Sequence, residues 1–171
     1  MLGILYEAPW VRMGVFASLV LAFQETLFAD VRWQGAGADL ILLLAIAAGI
    51  AAGPVRGARV GFVLGIAFDL LVTTPFGLSA LCYGLCAFLA GLIEPHVFQA
   101  KRFITPVTVA AAGGLGTLLY ASLADVFGVR SALTLGVFRI VIAVVLANLL
   151  LGVPFVRVAR WAMLSGGRGR F

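Results

Sequence analysis

The residues of this sequence with the clearest chemical potential are charges placed inside long apolar runs. Gly57, Gly61 and Gly65 are spaced four residues apart, and Asp69 continues the same row. Residues at this spacing share one face of an α-helix, and small residues there let the backbone of a second helix approach closely. We therefore predict a helix-packing row in which Asp69 faces protein rather than lipid, where a carboxylate is costly and needs a partner.

Arg139 is the predicted partner of Asp69. It lies inside another apolar run, ~12 Å below the outer end of its helix, whereas Asp69 lies ~7 Å below the outer end of its own helix. The long arginine side chain can cover this difference in depth. We predict an ion pair that joins the third and sixth helices, with Glu25 and Asp125 as rival partners. The pair is interpreted as a structural link, and a ligand or proton site is the alternative.

Acidic side chains cluster near the predicted outer ends of the helices. They are Glu25, Asp30, Asp39, Asp69 and Asp125. Acidic residues do little to set membrane topology, so the clustering calls for another cause. Helix ends meet water and tolerate charge, and this is the simpler interpretation for Asp30 and Asp125. Glu25, Asp39 and Asp125 remain candidates for a polar group on the outer side.

Residue patterns typical of catalysis are absent from the sequence. It contains no nucleophile elbow, no phosphate-binding glycine loop and no cluster of histidine, cysteine and carboxylate side chains. Cys82 and Cys86 share a helix face, but a metal site needs further ligands, and none stand nearby. We interpret both cysteines as small buried apolar residues. The sequence therefore predicts a protein without enzymatic activity, cofactor or metal.

Composition places the chain in a membrane. Of its 171 residues, 63% are hydrophobic and 11% are charged, and the mean hydropathy is +1.16. Soluble domains carry roughly 25% charged residues. The apolar residues form long runs rather than an alternating pattern, which favours transmembrane helices over a barrel. We predict one all-α transmembrane domain that covers residues 1–171.

Six apolar runs predict six transmembrane helices joined by short turns. They lie at about 13–28, 39–52, 60–73, 78–93, 104–124 and 133–156, followed by a basic cytoplasmic tail at 157–171. Because the links are short, sequential helices are expected to run antiparallel. The first run lacks a basic start and a convincing cleavage site, so we interpret it as a retained helix rather than a signal peptide.

Positive charges predict the orientation of the bundle. One side of the membrane holds Arg12, Arg56, Arg59, Lys101, Arg102, Arg157, Arg160, Arg168 and Arg170. The other side holds only Arg32 and Arg130. By the positive-inside rule, both termini are expected in the cytoplasm. These residues lie between apolar runs rather than along one face, which argues against nucleic-acid binding.

The middle of the chain contains a distinctive set of short motifs, namely Ala38-Asp39-Leu40, Gly61-Phe62, Gly65, Asp69-Leu70, Pro75-Phe76-Gly77-Leu78, Ala80-Leu81 and Tyr83. In these residues the chain resembles the rod shape-determining protein MreD family. Length, helix count and short loops agree over nearly the whole chain. Ala38 replaces a proline and Phe76 replaces a leucine that are usual in the family, and neither departure touches a charged position.

The resemblance implies a scaffold rather than an enzyme. It implies a multi-pass protein of the bacterial inner membrane that binds an MreC-like single-span partner. Its wider complex would include RodA, a class B penicillin-binding protein and MreB, which maintain rod shape and lateral peptidoglycan synthesis. The family also resembles the six-helix substrate-binding component of energy-coupling-factor transporters, which supplies the alternative of a vitamin carrier. A carrier needs several convergent polar groups, and their scarcity here favours the scaffold.

Overall fold

The computed structural model describes residues 9–28, 39–71, 76–98, 104–126, 128 and 135–164. Within these ranges the chain forms six α-helices and no strand. The helices are α1 Pro9–Phe28, α2 Leu40–Ala52, α3 Pro54–Asp69, α4 Leu78–Phe98, α5 Ile104–Val126 and α6 Leu135–Leu164. The predicted all-helical architecture is confirmed for this part of the chain.

The third helix begins six residues earlier than the sequence pattern indicated. It starts at Pro54 rather than at Val60, and Gly53 alone separates it from α2. A proline is well suited to the first helical position, because its missing N–H would have no partner there and its φ is already helical. Gly53 has a φ of 83°, a left-handed conformation that favours glycine. The turn between α2 and α3 therefore consists of Gly53 alone.

Two helices extend beyond their predicted ends. The fourth continues to Phe98 instead of ending at Ile93, and the sixth continues to Leu164 instead of ending at Val156. Proline is tolerated inside helices of apolar bundles because neighbouring groups satisfy the freed backbone, and α6 contains Pro154. The first part of the predicted tail is consequently helical, and residues 165–171 lie outside the described ranges.

Helix α2 occupies the centre of the bundle. Its residues 40–51 are all buried, and it packs against each of the other five helices. A helix that is apolar around its whole circumference is suited to such burial. With 13 residues it rises only ~20 Å, less than the ~30 Å of a bilayer core. Its polar ends must therefore be closed by side chains from its neighbours.

The glycine row allows α3 and α4 to form the most extensive helix pair of the bundle. Gly57 lies against the backbone of Gly49 in α2, Gly61 against the carbonyl group of Tyr83, and Gly65 against the backbone of Ala80. A Cβ atom at any of these three glycines would overlap its neighbour's backbone. The two helices can approach this closely only because the row has no side chains.

Two of the described helices are long and apolar enough to cross a membrane. The qualifying segments are Thr105–Val126 in α5 and Phe138–Met163 in α6. Three shorter apolar segments, in α1, α2 and α4, are Pro9–Gln24, Leu40–Ala52 and Leu78–Ile93. Large apolar side chains such as Leu115 and Leu150 are exposed on the outside of the bundle, which fits a lipid environment.

Replacing Gly65 by alanine tests the close approach of α3 and α4. The added methyl group meets backbone atoms of Ser79 and Ala80, which cannot rotate away. Overpacking of this kind costs about 1–3 kcal/mol, so the thermal unfolding midpoint of the detergent-purified variant should fall. Gly14→Ala is the matched control, because Gly14 is helical and has open space around it. Equal destabilisation of both variants would contradict this packing.

Candidate functional site

Contacts between helix ends show that the first four helices alternate in direction. Near the end of α1, the Oε1 atom of Gln24 accepts a hydrogen bond from the backbone N–H of Leu40, the first residue of α2, at 2.9 Å. Asp69, the last residue of α3, accepts hydrogen bonds from the start of α4. One end of the bundle therefore holds the ends of α1 and α3 together with the starts of α2 and α4.

Contacts at the opposite end complete this alternation. Gly91 of α4 packs against Pro54 at the start of α3, and the guanidinium of Arg12 lies 5.1 Å from the ring centroid of Trp161 in α6. We call this the basic end, and its described arginines are Arg12, Arg56, Arg59, Arg157 and Arg160. We call the other the acidic end, and its described aspartates are Asp39, Asp69 and Asp125.

Asp69 closes the N-terminus of α4. It is only 5% exposed. Its Oδ2 atom accepts hydrogen bonds from the N–H of Gly77 at 2.8 Å and of Ala80 at 3.4 Å, and its Oδ1 atom accepts one from Ser79 at 3.2 Å. The first N–H groups of a helix have no partner within the helix. A carboxylate satisfies them and is also favoured by the positive end of the helix dipole.

The glycine row positions this carboxylate. Gly65 lies against the backbone of Ser79 and Ala80, so Asp69, one turn further along α3, reaches the first turn of α4. Gly77 has a φ of 95°, which lets the chain turn back toward Asp69 immediately before α4 begins. The row and the carboxylate therefore act together, since the approach of α3 determines which N–H groups Asp69 can bind.

A second carboxylate closes the N-terminus of α2. The Oδ1 atom of Asp39 accepts a hydrogen bond from the N–H of Leu42 at 2.9 Å, and its Oδ2 atom accepts one from the hydroxyl group of Tyr83 in α4. Gln24 of α1 binds the neighbouring N–H of Leu40. The start of the central helix is thus held from α1 and α4 as well as from its own N-cap.

Tyr83, like Gln24, belongs to this cluster but is not among the site residues predicted from the sequence. It is buried, and its ring also packs against Phe68, with ring centroids 5.8 Å apart. The available signal was the single phenol in the apolar run 80–93, because a buried tyrosine hydroxyl usually finds a hydrogen-bond partner.

The structure pairs Asp69 with the start of α4 rather than with Arg139. The Arg139 side chain is exposed in the second turn of α6, whereas both oxygens of the buried Asp69 carboxylate are already occupied by backbone N–H groups. Sequence reasoning sought an opposite charge for Asp69, but the partial positive charge of a helix N-terminus serves instead. Arg139 lies 18 residues before the exposed Arg157, or ~27 Å along α6.

Of the remaining predicted candidates, Asp125 alone has a side chain that the structure describes. Asp125 is exposed at the end of α5, and the side chain of Glu25 lies outside the described residues. Asp39 and Asp69 both bind α4, at Tyr83 and at the first turn respectively. Within the described part of the chain, no three histidine, cysteine or acidic side chains are placed to hold a metal ion. This arrangement closes helix ends and leaves neither carboxylate presented to a ligand.

Comparison with known proteins identifies one matching family. The family model described as rod shape-determining protein MreD matches residues 7–161. This segment includes the glycine row, both capping aspartates and Tyr83. Searches of curated proteins and of solved structures gave no match.

Replacing Asp69 by alanine should destabilise the protein, because the N–H groups of Gly77 and Ser79 lose their acceptor. Loss of a helix cap costs about 0.5–2 kcal/mol, which should appear as a lower thermal unfolding midpoint and a lower abundance in membranes. Asp69→Asn keeps one acceptor oxygen and should lose less. The control is Asp125→Ala at an exposed site, expected within about 0.5 kcal/mol of wild type. Similar losses in the two alanine variants would exclude the capping role.

Proposed function

The chain belongs to the rod shape-determining protein MreD family, and from this we propose that it is a membrane scaffold of the bacterial cell-elongation machinery. Membership of the family supports a role in determining rod shape. In the proposed function the chain binds an MreC-like single-span protein and belongs to a wider complex with RodA, a class B penicillin-binding protein and MreB. Its contribution to lateral peptidoglycan synthesis is structural rather than enzymatic.

The proposed location is the inner membrane, with six spans and both termini in the cytoplasm. Segregation of charge between the two ends of the bundle supports this orientation, since arginine-rich ends face the cytoplasm. The exposed arginines Arg139 and Arg157 bracket ~27 Å of α6, close to the ~30 Å thickness of a bilayer core. In this orientation Arg139 lies at the outer headgroup level, where its charge remains solvated.

The occupancy of two carboxylates, the buried Asp69 and the half-buried Asp39, favours a scaffold over a vitamin carrier. A carrier related to energy-coupling-factor components needs a cavity with several polar groups directed at its ligand. Asp69 and Asp39 instead direct their oxygens at backbone N–H groups and at Tyr83. Both carboxylates are thus already used to close helices, which is the observation that carries this choice.

The exposed small face of α1 is the proposed docking site for the partner helix. Gly14, Ser18, Ala22 and Thr26 are spaced four residues apart and are all exposed. The hydroxyl groups of Ser18 and Thr26 donate to the carbonyl groups of Gly14 and Ala22, so their polarity is satisfied within α1. Small residues at this spacing let a second helix approach closely.

Gly14 differs from the glycines that pack inside the bundle. Among the helical glycines whose surroundings the structure describes, each of the others has a neighbouring atom within 4 Å, whereas Gly14 has none. Helix α1 is also attached to the bundle mainly through α6 and α2, which leaves its outer side accessible. A single transmembrane helix fits this surface without displacing any helix of the bundle.

Replacing Ala22 by leucine should reduce co-purification of the chain with an MreC-like protein, because the larger side chain holds the partner helix away. Ala111→Leu makes the same change at an exposed position of α5 and should leave co-purification unchanged. Thermal unfolding of both variants checks that the bundle is intact. Equal co-purification of all three proteins would exclude α1 as the docking site. Tight vitamin binding to the purified chain, without such a partner, would favour the carrier.

A further inference from the structure

An exposed apolar face of α6 ends in a cationic and aromatic corner at the basic end. Leu146, Leu150, Arg157 and Trp161 are spaced by four, seven and four residues, which places them on one side of the helix. All four are exposed, Leu150 to 78% and Trp161 to 53%. The face therefore continues from large apolar side chains directly to a guanidinium and an indole.

Contacts from α1 fix the position of this corner. The guanidinium of Arg12 lies 5.1 Å from the centroid of the Trp161 ring, a distance typical of a cation–π contact. One turn further into the bundle, the rings of Phe16 and Phe155 meet edge to face with centroids 5.8 Å apart. These two contacts hold the end of α6 against α1, so that the exposed side of Trp161 has a defined direction.

We propose that Arg157 and Trp161 bind the headgroup of an anionic phospholipid whose acyl chain lies along Leu146 and Leu150. Arginine recognises phosphate oxygens in a bidentate manner, and indole rings prefer the level of the headgroups. The rise from Leu146 to Arg157 is ~16 Å, which matches one leaflet of a bilayer core about 30 Å thick. The alternative occupant, an acidic segment of a cytoplasmic protein, would pair with Arg157 but would leave Leu146 and Leu150 uncovered.

The inference rests on the membrane location proposed above and is independent of partner binding. The test uses the full chain purified in detergent, with phosphatidylglycerol, phosphatidylcholine or inorganic phosphate added in turn. Native mass spectrometry counts bound lipid, and thermal unfolding measures the stabilisation. Wild type should bind phosphatidylglycerol in preference to phosphatidylcholine, and inorganic phosphate alone should not raise the unfolding midpoint.

Arg157→Gln is the informative variant, because it removes one exposed charge without disturbing a buried contact. Its affinity for phosphatidylglycerol should fall about fivefold, the effect of one arginine at an anionic surface. Arg59→Gln is the matched control, since Arg59 is also exposed at the basic end but lies on α3, and its affinity should stay at the wild-type value.

Three results would overturn the proposal. Equal loss of affinity in the Arg157 and Arg59 variants would mean that general surface charge attracts the lipid. Stabilisation by inorganic phosphate equal to that by phosphatidylglycerol would mean that the apolar face contributes nothing. Equal binding of the two phospholipids by wild type would mean that the corner does not select an anionic headgroup. Co-purification with an MreC-like protein is measured separately, so its failure would leave these outcomes unaffected.

Discussion

The structure depends on pairing the backbone N–H groups of helices that begin inside an apolar bundle. Each helix starts with four N–H groups that have no partner within the helix, and leaving such groups unpaired away from water is expensive. Two carboxylates meet this need at the acidic end. Asp69 closes α4 and Asp39 closes α2, the latter with help from Gln24. The charges of Asp39 and Asp69 are consequently part of the fold.

The need to pair these N–H groups explains both the close packing at the glycine row and the contacts at the start of the central helix α2. Helix α2 is too short and too buried for water to reach its start easily, so its first N–H groups bind Gln24 and Asp39. Asp69 can close α4 only because Gly65 allows α3 to lie directly against it. Tyr83 joins the two caps, since it binds Asp39 while its ring packs against Phe68, the neighbour of Asp69. The described helices then carry exposed apolar side chains on the outside of the bundle, which fits a lipid environment.

Sequence reasoning predicts the all-helical architecture and correctly places the glycine row and Asp69 on the same face of a helix. Both predictions follow from the spacing of residues along a single segment of the chain, and they need no knowledge of how the segments pack together. The predicted partner of Asp69, Arg139, is wrong because the prediction pairs a negative charge with a positive side chain. In the structure the N–H groups at the start of α4 bind Asp69 instead. That contact depends on how the chain turns at Gly77, which spacing alone does not specify. Helix limits at Pro54 and Phe98 differ from the prediction because Pro54 and Pro95 indicate turns in the sequence, although proline also suits a helix start or an apolar helix interior.

Amide hydrogen exchange at the first turns of α2 and α4 tests the central claim most directly. In wild type, the N–H groups of Leu42 and Ser79 should both be protected, because each donates to a carboxylate that caps its helix. In the Asp69→Ala protein, exchange at Ser79 should accelerate about fivefold, as the loss of roughly 1 kcal/mol of capping implies. Exchange at Leu42 should stay unchanged. Fast exchange at Ser79 in wild type, or equal acceleration at both residues, would contradict the account.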